Sequence, residues 1–588
     1  MSFLTLTQQA LLAVARAYRP IVTGNSELVF ASDMTGHPQV FKESRPLEWP
    51  RRLSATSERM LPVADTAFGL LVRHDTGGNE TWQLSLLGSE GELRPLTRDS
   101  KAIHQGVVVS PDRKRAGLAY NPGGQDDFRV GVLDLSTGEI TDWLRQPGQW
   151  RWEAWSPEAN TAVVSHSTSA TRVEAFLLEP GQAPVQLLPA ARRVLSVCWL
   201  PGGTLLARTD LESDFLGMAA ISADDPIRPL RWLVREDADI GALAPDPRGE
   251  RVAMTLNRGL YDELRVLPIN GGNPMPTAHL APGVLYSDNV SPLDDQLAWS
   301  PDGSTLLVSW ETPTAPADIF DCFSGARWTC ATSQPLPRLQ TPEAVSYSSF
   351  DGLQVPALYY KSGDPPRPAV VHFHGGPEAQ IRGNFQPVFH MLNLAGIDVM
   401  APNVRGSDGY GIGYLSLDDK ELRLNSVKDG CEAGRFLLRE KLATRLAVMG
   451  GSYGGFMTLA VLVEDPELWQ AAVDIVGIAD WHTFFANTSG WRRAGRAAEY
   501  GDPDGAESEF LAQISPLRHA DRIKAPLLVI HGRNDVRVPV GEAEQISRAA
   551  RDAELLVLED EGHGIVKHRN RVLAYGRAVE FLEARLRN

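Results

Sequence analysis

Apolar residues follow two different rhythms along this chain, and the change comes near residue 340. Before it, short stretches alternate apolar and polar positions between turn-forming residues, with few runs at helical spacing. Period-two alternation marks strands with one buried face. Proline turns recur through this half: Ser110-Pro111-Asp112, Ser156-Pro157-Glu158, Leu200-Pro201-Gly202-Gly203, Asp246-Pro247-Arg248-Gly249 and Ser300-Pro301-Asp302-Gly303, with fainter matches at Arg19-Pro20 and Leu61-Pro62. The seven prolines lie 42 to 54 residues apart. Apolar strands such as Ala162-Val163-Val164 and Leu306-Leu307-Val308 follow the turns. Short strands repeated every ~40–50 residues predict a β-propeller, here with seven blades. A β-sandwich, or two small β domains, is the competing all-β arrangement.

Beyond residue 340 the apolar residues gather into short unbroken runs: 369–373, 397–400, 446–449, 471–476, 527–530 and 555–558. Helix-like segments at 426–440 and 541–552 lie between some of them. Such alternation predicts a doubly wound, mostly parallel sheet with its site at the ends of strands. The proline-rich stretch Gln334-Pro335-Leu336-Pro337-Arg338 marks the join. Three parts are expected: an amphipathic N-terminal helix over 1–18, carrying Leu6, Leu11, Leu12 and Val14; a propeller over 19–335; and an α/β domain over 336–588 onto which the helix packs. The first segment has no basic start and no long apolar core, which argues against a secretory signal.

The run Gly450-Gly451-Ser452-Tyr453-Gly454-Gly455 sits between a strand-like and a helix-like segment. This fits a nucleophile elbow and makes the second domain an α/β-hydrolase. In that fold an acid and then a histidine follow the serine in chain order. Asp535 lies just past the fifth run and His563 just past the sixth. A serine hydroxyl is a weak nucleophile until histidine takes its proton, and the carboxylate fixes the ring's tautomer. Asp480 and His568 are the rival acid and base. The loop His374-Gly375-Gly376-Pro377 follows the first run, where the second oxyanion donor belongs. The expected donors are the N–H groups of Tyr453 and of Gly376, with Gly375 as second choice. His372 and His374 as a metal pair would lack the further ligands a metal needs. No metal or cofactor is expected.

A chain of 588 residues with net charge −16 fits two or more domains and argues against a nucleic-acid partner. No run approaches the ~20 apolar residues of a membrane helix. Cys198, Cys322, Cys330 and Cys431 suggest reduced thiols and a cytoplasmic setting, although Cys322 and Cys330 could pair. Propeller openings and edge strands leave homo-oligomers open.

Together, His374-Gly375-Gly376-Pro377, Asn403-Val404-Arg405-Gly406-Ser407, Gly450 to Phe456, His531-Gly532, Asp535-Val536-Arg537-Val538-Pro539 and Gly562-His563 resemble the prolyl oligopeptidase family of serine peptidases, most of all its acylaminoacyl-peptidase branch. Val404 departs from the pattern, since relatives often carry an aromatic residue there. The resemblance implies that the propeller caps the site, excludes folded proteins and admits short peptides. It implies that Arg537 holds a substrate carbonyl, where the alternative is a salt bridge to a nearby acid. It also implies that Ile478, Trp481, Phe484, Phe485 and Trp491 wall the pocket for the residue before the scissile bond, where the alternative is core packing. Acylaminoacyl, dipeptidyl, carboxypeptidase-like and short endo-cleavage all stay open, as does esterase chemistry with the same triad.

Overall fold

The computed structural model describes residues 5–123, 125–288, 292–332 and 334–587, so the first four residues of the expected N-terminal segment lie outside it. Between Ala17 and Asp321 the chain forms seven small antiparallel sheets, the blades of a propeller. In blades 3 to 7 the expected turns join the first strand to the second, as Ser110-Pro111-Asp112 joins Ile103–Val109 to Arg115–Asn121. In four of the five turns the residue before the proline explains the recurrence. The side chain of Ser110, Ser156, Asp246 or Ser300 accepts the amide five residues on, at 3.1, 3.1, 3.1 and 2.9 Å. A short polar side chain thus closes the turn that the proline starts.

Pro20 and Pro62 are different. They lie within the first strands of blades 1 and 2, Ala17–Val22 and Met60–Thr66, where the pairing is bulged. A strand proline lacks a donor and is tolerated at such irregularities. The faint matches therefore mark the right blades for a different reason. In blade 7 the first strand is split into Val284–Leu285 and Leu297–Trp299, both paired with Leu306–Thr312. Blade 1 closes the ring against blade 7, where Phe30 and Phe41 pack with Leu307 and Ile319.

The second domain is one eight-stranded sheet: β1 (Glu343–Ser348), β2 (Gln354–Tyr360), β3 (Arg367–Phe373), β4 (Asp398–Pro402), β5 (Ala443–Gly451), β6 (Ala471–Ile475), β7 (Leu527–Gly532) and β8 (Ala553–Leu558). The order is β1-β2-β4-β3-β5-β6-β7-β8. All six apolar runs are strands of it, and β3 to β8 run parallel. The antiparallel edge pair β1 and β2 escapes the sequence reading: the exposed face of β1 leaves no unbroken apolar run, and Pro356 interrupts that of β2. Helices cover both faces. Val427, Phe456, Leu459 and Ile546 fill one side. Phe389, Ala578 and Phe581 fill the other, where Leu11 and Leu12 of the helix Leu6–Leu12 join them. All four cysteines are free thiols.

Candidate functional site

At the centre of the sheet β5 runs directly into the helix Tyr453–Glu464, and Ser452 is the residue between them. Its φ of 58° lies in the left-handed region, a strained setting for a residue with a Cβ. Glycines make the turn possible by close approach. A Cβ on Gly450 would strike the Gly454 carbonyl, and one on Gly454 would strike that of Phe373. The strain turns the Ser452 hydroxyl out above the sheet, where His563 Nε2 lies 3.0 Å from Oγ.

The His563 ring continues the chain of contacts: Nδ1 sits 2.7 Å from Asp535 Oδ2. Asp535 Oδ1 accepts the amides of Arg537 and Val538 at 2.8 and 2.9 Å, which fixes the carboxylate. Burial alone would raise the Asp535 pKa. The charge and hydrogen bond of His563, with His531 and the Val538 amide, outweigh it and hold Asp535 below the ordinary carboxylate range. The rivals are engaged elsewhere. Asp480 accepts the His482 and Thr483 amides at a helix start and pairs with Arg518 at 3.0 Å. His568 faces Asp33 at 3.3 Å.

Tyr453 opens its helix, so its N–H has no acceptor within the helix. On the other flank Gly375 packs against the elbow, and a Cβ there would come within 3.3 Å of Ser452 Cβ. Gly376 has a φ of +126°. Its neighbour His374 braces the loop, with Nδ1 2.8 Å from the Gly375 carbonyl and Nε2 2.9 Å from Ser407 Oγ. Burial lowers the His374 pKa and takes His372, stacked edge-on to Phe389, down to about 3.

Arg537 lies beside Asp535, and its Nε is 2.7 Å from Glu80 Oε1. Arg492 takes the other Glu80 oxygen at 2.8 Å. Glu80 belongs to a blade 2 loop that docks onto the loops bearing Asp535 and His563: Asn534 Nδ2 donates to the Gly77 carbonyl at 3.0 Å, and a Cβ on Gly78 would lie 2.6 Å from the Gly562 amide. Nothing local in the sequence marks Glu80 for this place, since its partners are more than 400 residues away.

Ile478, Trp481, Phe484 and Phe485 are each at most 1% exposed. Trp481 packs on Phe456, Phe484 and Tyr500 in the core. Trp491 lies edge-on to Phe128 of the propeller, with ring centroids 5.2 Å apart. None of these five lines the cavity of about 410 Å³ that opens at Ser452. That cavity runs past His563 toward Phe385, Phe389 and the propeller residues Tyr286 and Glu311.

Below Tyr453 lies a charged cluster that the sequence reading missed. The Arg423 guanidinium is fully buried between the rings of Tyr453 and Tyr500 and bonds Asp418 at 2.9 Å and Glu499 at 2.8 Å. Burial pushes Asp418 up to about 7 and Glu378 up to about 8. Asp474, on β6, is buried beneath the elbow helix, in space that Gly455 and Gly477 leave open. Burial pushes it up to about 7. Folded Asp474 keeps a proton that the unfolded chain has shed above about pH 4, so its contribution to stability falls as pH rises from there to 7. Asp474→Asn should therefore raise the melting temperature by about 5 °C at pH 8 and by much less at pH 5. An equal shift at both pH values would contradict this.

The fold and site define a hydrolase: an α/β sheet with an elbow serine, capped by a seven-bladed propeller. The profile of the prolyl oligopeptidase family matches residues 384–588. The chain is 30% identical to dipeptidyl aminopeptidase BIII of Pseudoxanthomonas mexicana over 538 residues, 85% of this chain and 76% of that one. It is 26% identical to an acylamino-acid-releasing enzyme of Arabidopsis thaliana over 46% of this chain and 42% of that one. The chain thus belongs to the prolyl oligopeptidase family and is a serine peptidase. Solved structures share the fold: a puromycin-hydrolyzing peptidase of Mycobacterium tuberculosis (TM-score 0.83, 21% identity, covering 99% of this chain and 96% of that one) and an acylaminoacyl peptidase of Pyrococcus horikoshii (TM-score 0.72, 17% identity, 99% and 98%). Among the described residues no helix is long and apolar enough to cross a membrane.

Proposed function

We propose that this peptidase cleaves short peptides through an acyl-enzyme and releases acylated or apolar terminal residues. Ser452 Oγ attacks the scissile carbonyl, and its proton passes to His563 Nε2. His563 then gives that proton to the leaving nitrogen, and water hydrolyses the acyl-enzyme by the same route in reverse. Asp535 orients the ring, and the amides of Tyr453 and Gly376 receive the oxyanion, with Gly375 as alternative donor. The observation that carries the reading is the relay from Ser452 through His563 to Asp535, at 3.0 and 2.7 Å.

Glu80 supports the acylated terminus. A free ammonium needs an acid to pair with, and this acid already holds Arg537 and Arg492. The experiment is a library of short peptides with free and acetylated N-termini, read by mass spectrometry. We expect kcat/KM to favour acetylated peptides by about tenfold, or ~1.4 kcal/mol. The relationship to a dipeptidyl aminopeptidase gives the second reading, which steady release of N-terminal dipeptides would establish instead. Fast cleavage of esters with no amide turnover would overturn both.

A further inference from the structure

We infer that the cavity beside His563 seats the leaving group of the substrate, and that Arg16 and Arg571 pair with the free carboxylate at its end. This rests on the acyl-enzyme reading above and adds the substrate class: peptides whose C-terminus lies within reach of the two arginines.

Position comes first. The cavity is lined by Ser452, His563, Gly564 and Ile565, but not by Tyr453, Gly375 or Gly376. With the carbonyl oxygen on those amides, the acyl part and the leaving nitrogen both point away from them, and His563 decides which lies on its side. The scissile nitrogen must lie within reach of His563 Nε2, which protonates it. The leaving residue that carries this nitrogen then extends past His563 and into the cavity. At about 410 Å³ the space is of small-molecule size and too small for a folded chain.

Chemistry comes second. Arg16 and Arg571 both line the cavity wall. Arg571, on the C-terminal helix His568–Leu586, donates to Asp33 Oδ2 at 2.7 Å, yet its Nε is buried with no hydrogen-bond partner among the described residues. Arg16, between the N-terminal helix and blade 1, uses its backbone N–H on Asp33 Oδ1 at 2.7 Å, and its side-chain Nε is likewise buried and unpartnered among the described residues. The two Nε atoms are shielded by protein, so it is the presence of both guanidinium groups on the wall that marks the cavity, and a carboxylate is the ligand whose oxygens pair best with such groups. Two acids, Asp288 and Glu311, also line the cavity. Asp288 faces Arg19 at 3.9 Å. Glu311 accepts the Phe385 amide at 3.2 Å, and the nearby charge of Arg16 only partly offsets its burial, which pushes it up to about 7.

The test uses the full chain and three substrates with one acyl part: acetyl-Phe-Ala as free acid, the same peptide as amide, and acetyl-Phe p-nitroanilide as each variant's own reference. The free acid should exceed the amide in kcat/KM by about 10- to 100-fold. Arg16→Gln and Arg571→Gln should each bring that ratio to within about threefold of one, and Arg16→Lys should keep part of it. Arg571→Gln strips Asp33 of its guanidinium partner, leaving only His568 and the Arg16 amide beside it, and risks misfolding. Arg16→Gln leaves the Asp33–Arg571 pair intact, so a folded Arg16 variant decides the matter. Anilide turnover with equal rates for acid and amide would overturn the inference and leave the acyl-enzyme reading standing, and so would an Arg16→Gln ratio equal to that of the unmodified chain. Loss of all turnover, anilide included, would remove both.

Discussion

Ser452→Ala is expected to lower kcat on a peptide p-nitroanilide on the order of 10⁶-fold and to end labelling by a fluorophosphonate probe. The Ser452 hydroxyl sits 3.0 Å from His563 Nε2, and no other hydroxyl shares a hydrogen bond with that nitrogen among the described residues. Asp535→Asn should cost about 10⁴-fold with the fold intact, because an amide presents the wrong partner to His563 Nδ1. The alanine variant should fold normally, since the strain at Ser452 belongs to a backbone held by Gly450 and Gly454 on either side. Labelling that persists in Ser452→Ala would show that another residue is the nucleophile.

The constellation of Ser452, Asp535 and His563 was legible because its parts are local signals. A glycine-flanked serine after an apolar run and an acid and a histidine in loops after later runs can each be read within a dozen residues. The blades were legible for the same reason: Ser110, Ser156, Asp246 and Ser300 close turns within five residues of themselves. The features that stayed hidden depend on contacts between distant parts. Arg537 finds its acid in Glu80 of the propeller, and the pairing could not be chosen from either residue's neighbours. Arg16 and Arg571 come from distant parts of the chain and meet at Asp33. The aromatic segment after β6 shows a different limit. Apolar side chains satisfy a core and a pocket equally well in sequence, and Trp481 and Phe484 sit in a packed cluster with Phe456 and Tyr500. β1 was missed because its exposed face breaks up its apolar pattern, and β2 because Pro356 interrupts a run of which Ala357 to Tyr360 are buried.

Arg423→Met is the variant with the largest expected effect on stability. The guanidinium is 0% exposed, bonds Asp418 and Glu499, and stacks on Tyr453 at 5.1 Å and Tyr500 at 4.6 Å. Removing it leaves Asp418 and Glu499 buried together, with Asp419 and Glu378 adding to the repulsion. Breaking a buried ion cluster in this way costs about 3–5 kcal/mol, or roughly 10 °C in the melting temperature of the hydrolase domain. The loss has a pH dependence of fixed sign. Acids with raised pKa values bind protons in the folded state, so rising pH works against folding between about 4 and 8. Without Arg423 those pKa values climb further, and the deficit should be larger at pH 8 than at pH 5.5. Activity should fall as well, because Tyr453 carries the proposed oxyanion amide and loses the cation that its ring rests on. Asp418→Asn combined with Arg423→Met should recover part of the stability, since it removes one of the stranded charges. A single variant that melts within about 1 °C of the unmodified chain at pH 8 would mean that the acids are already protonated and that Arg423 compensates no charge.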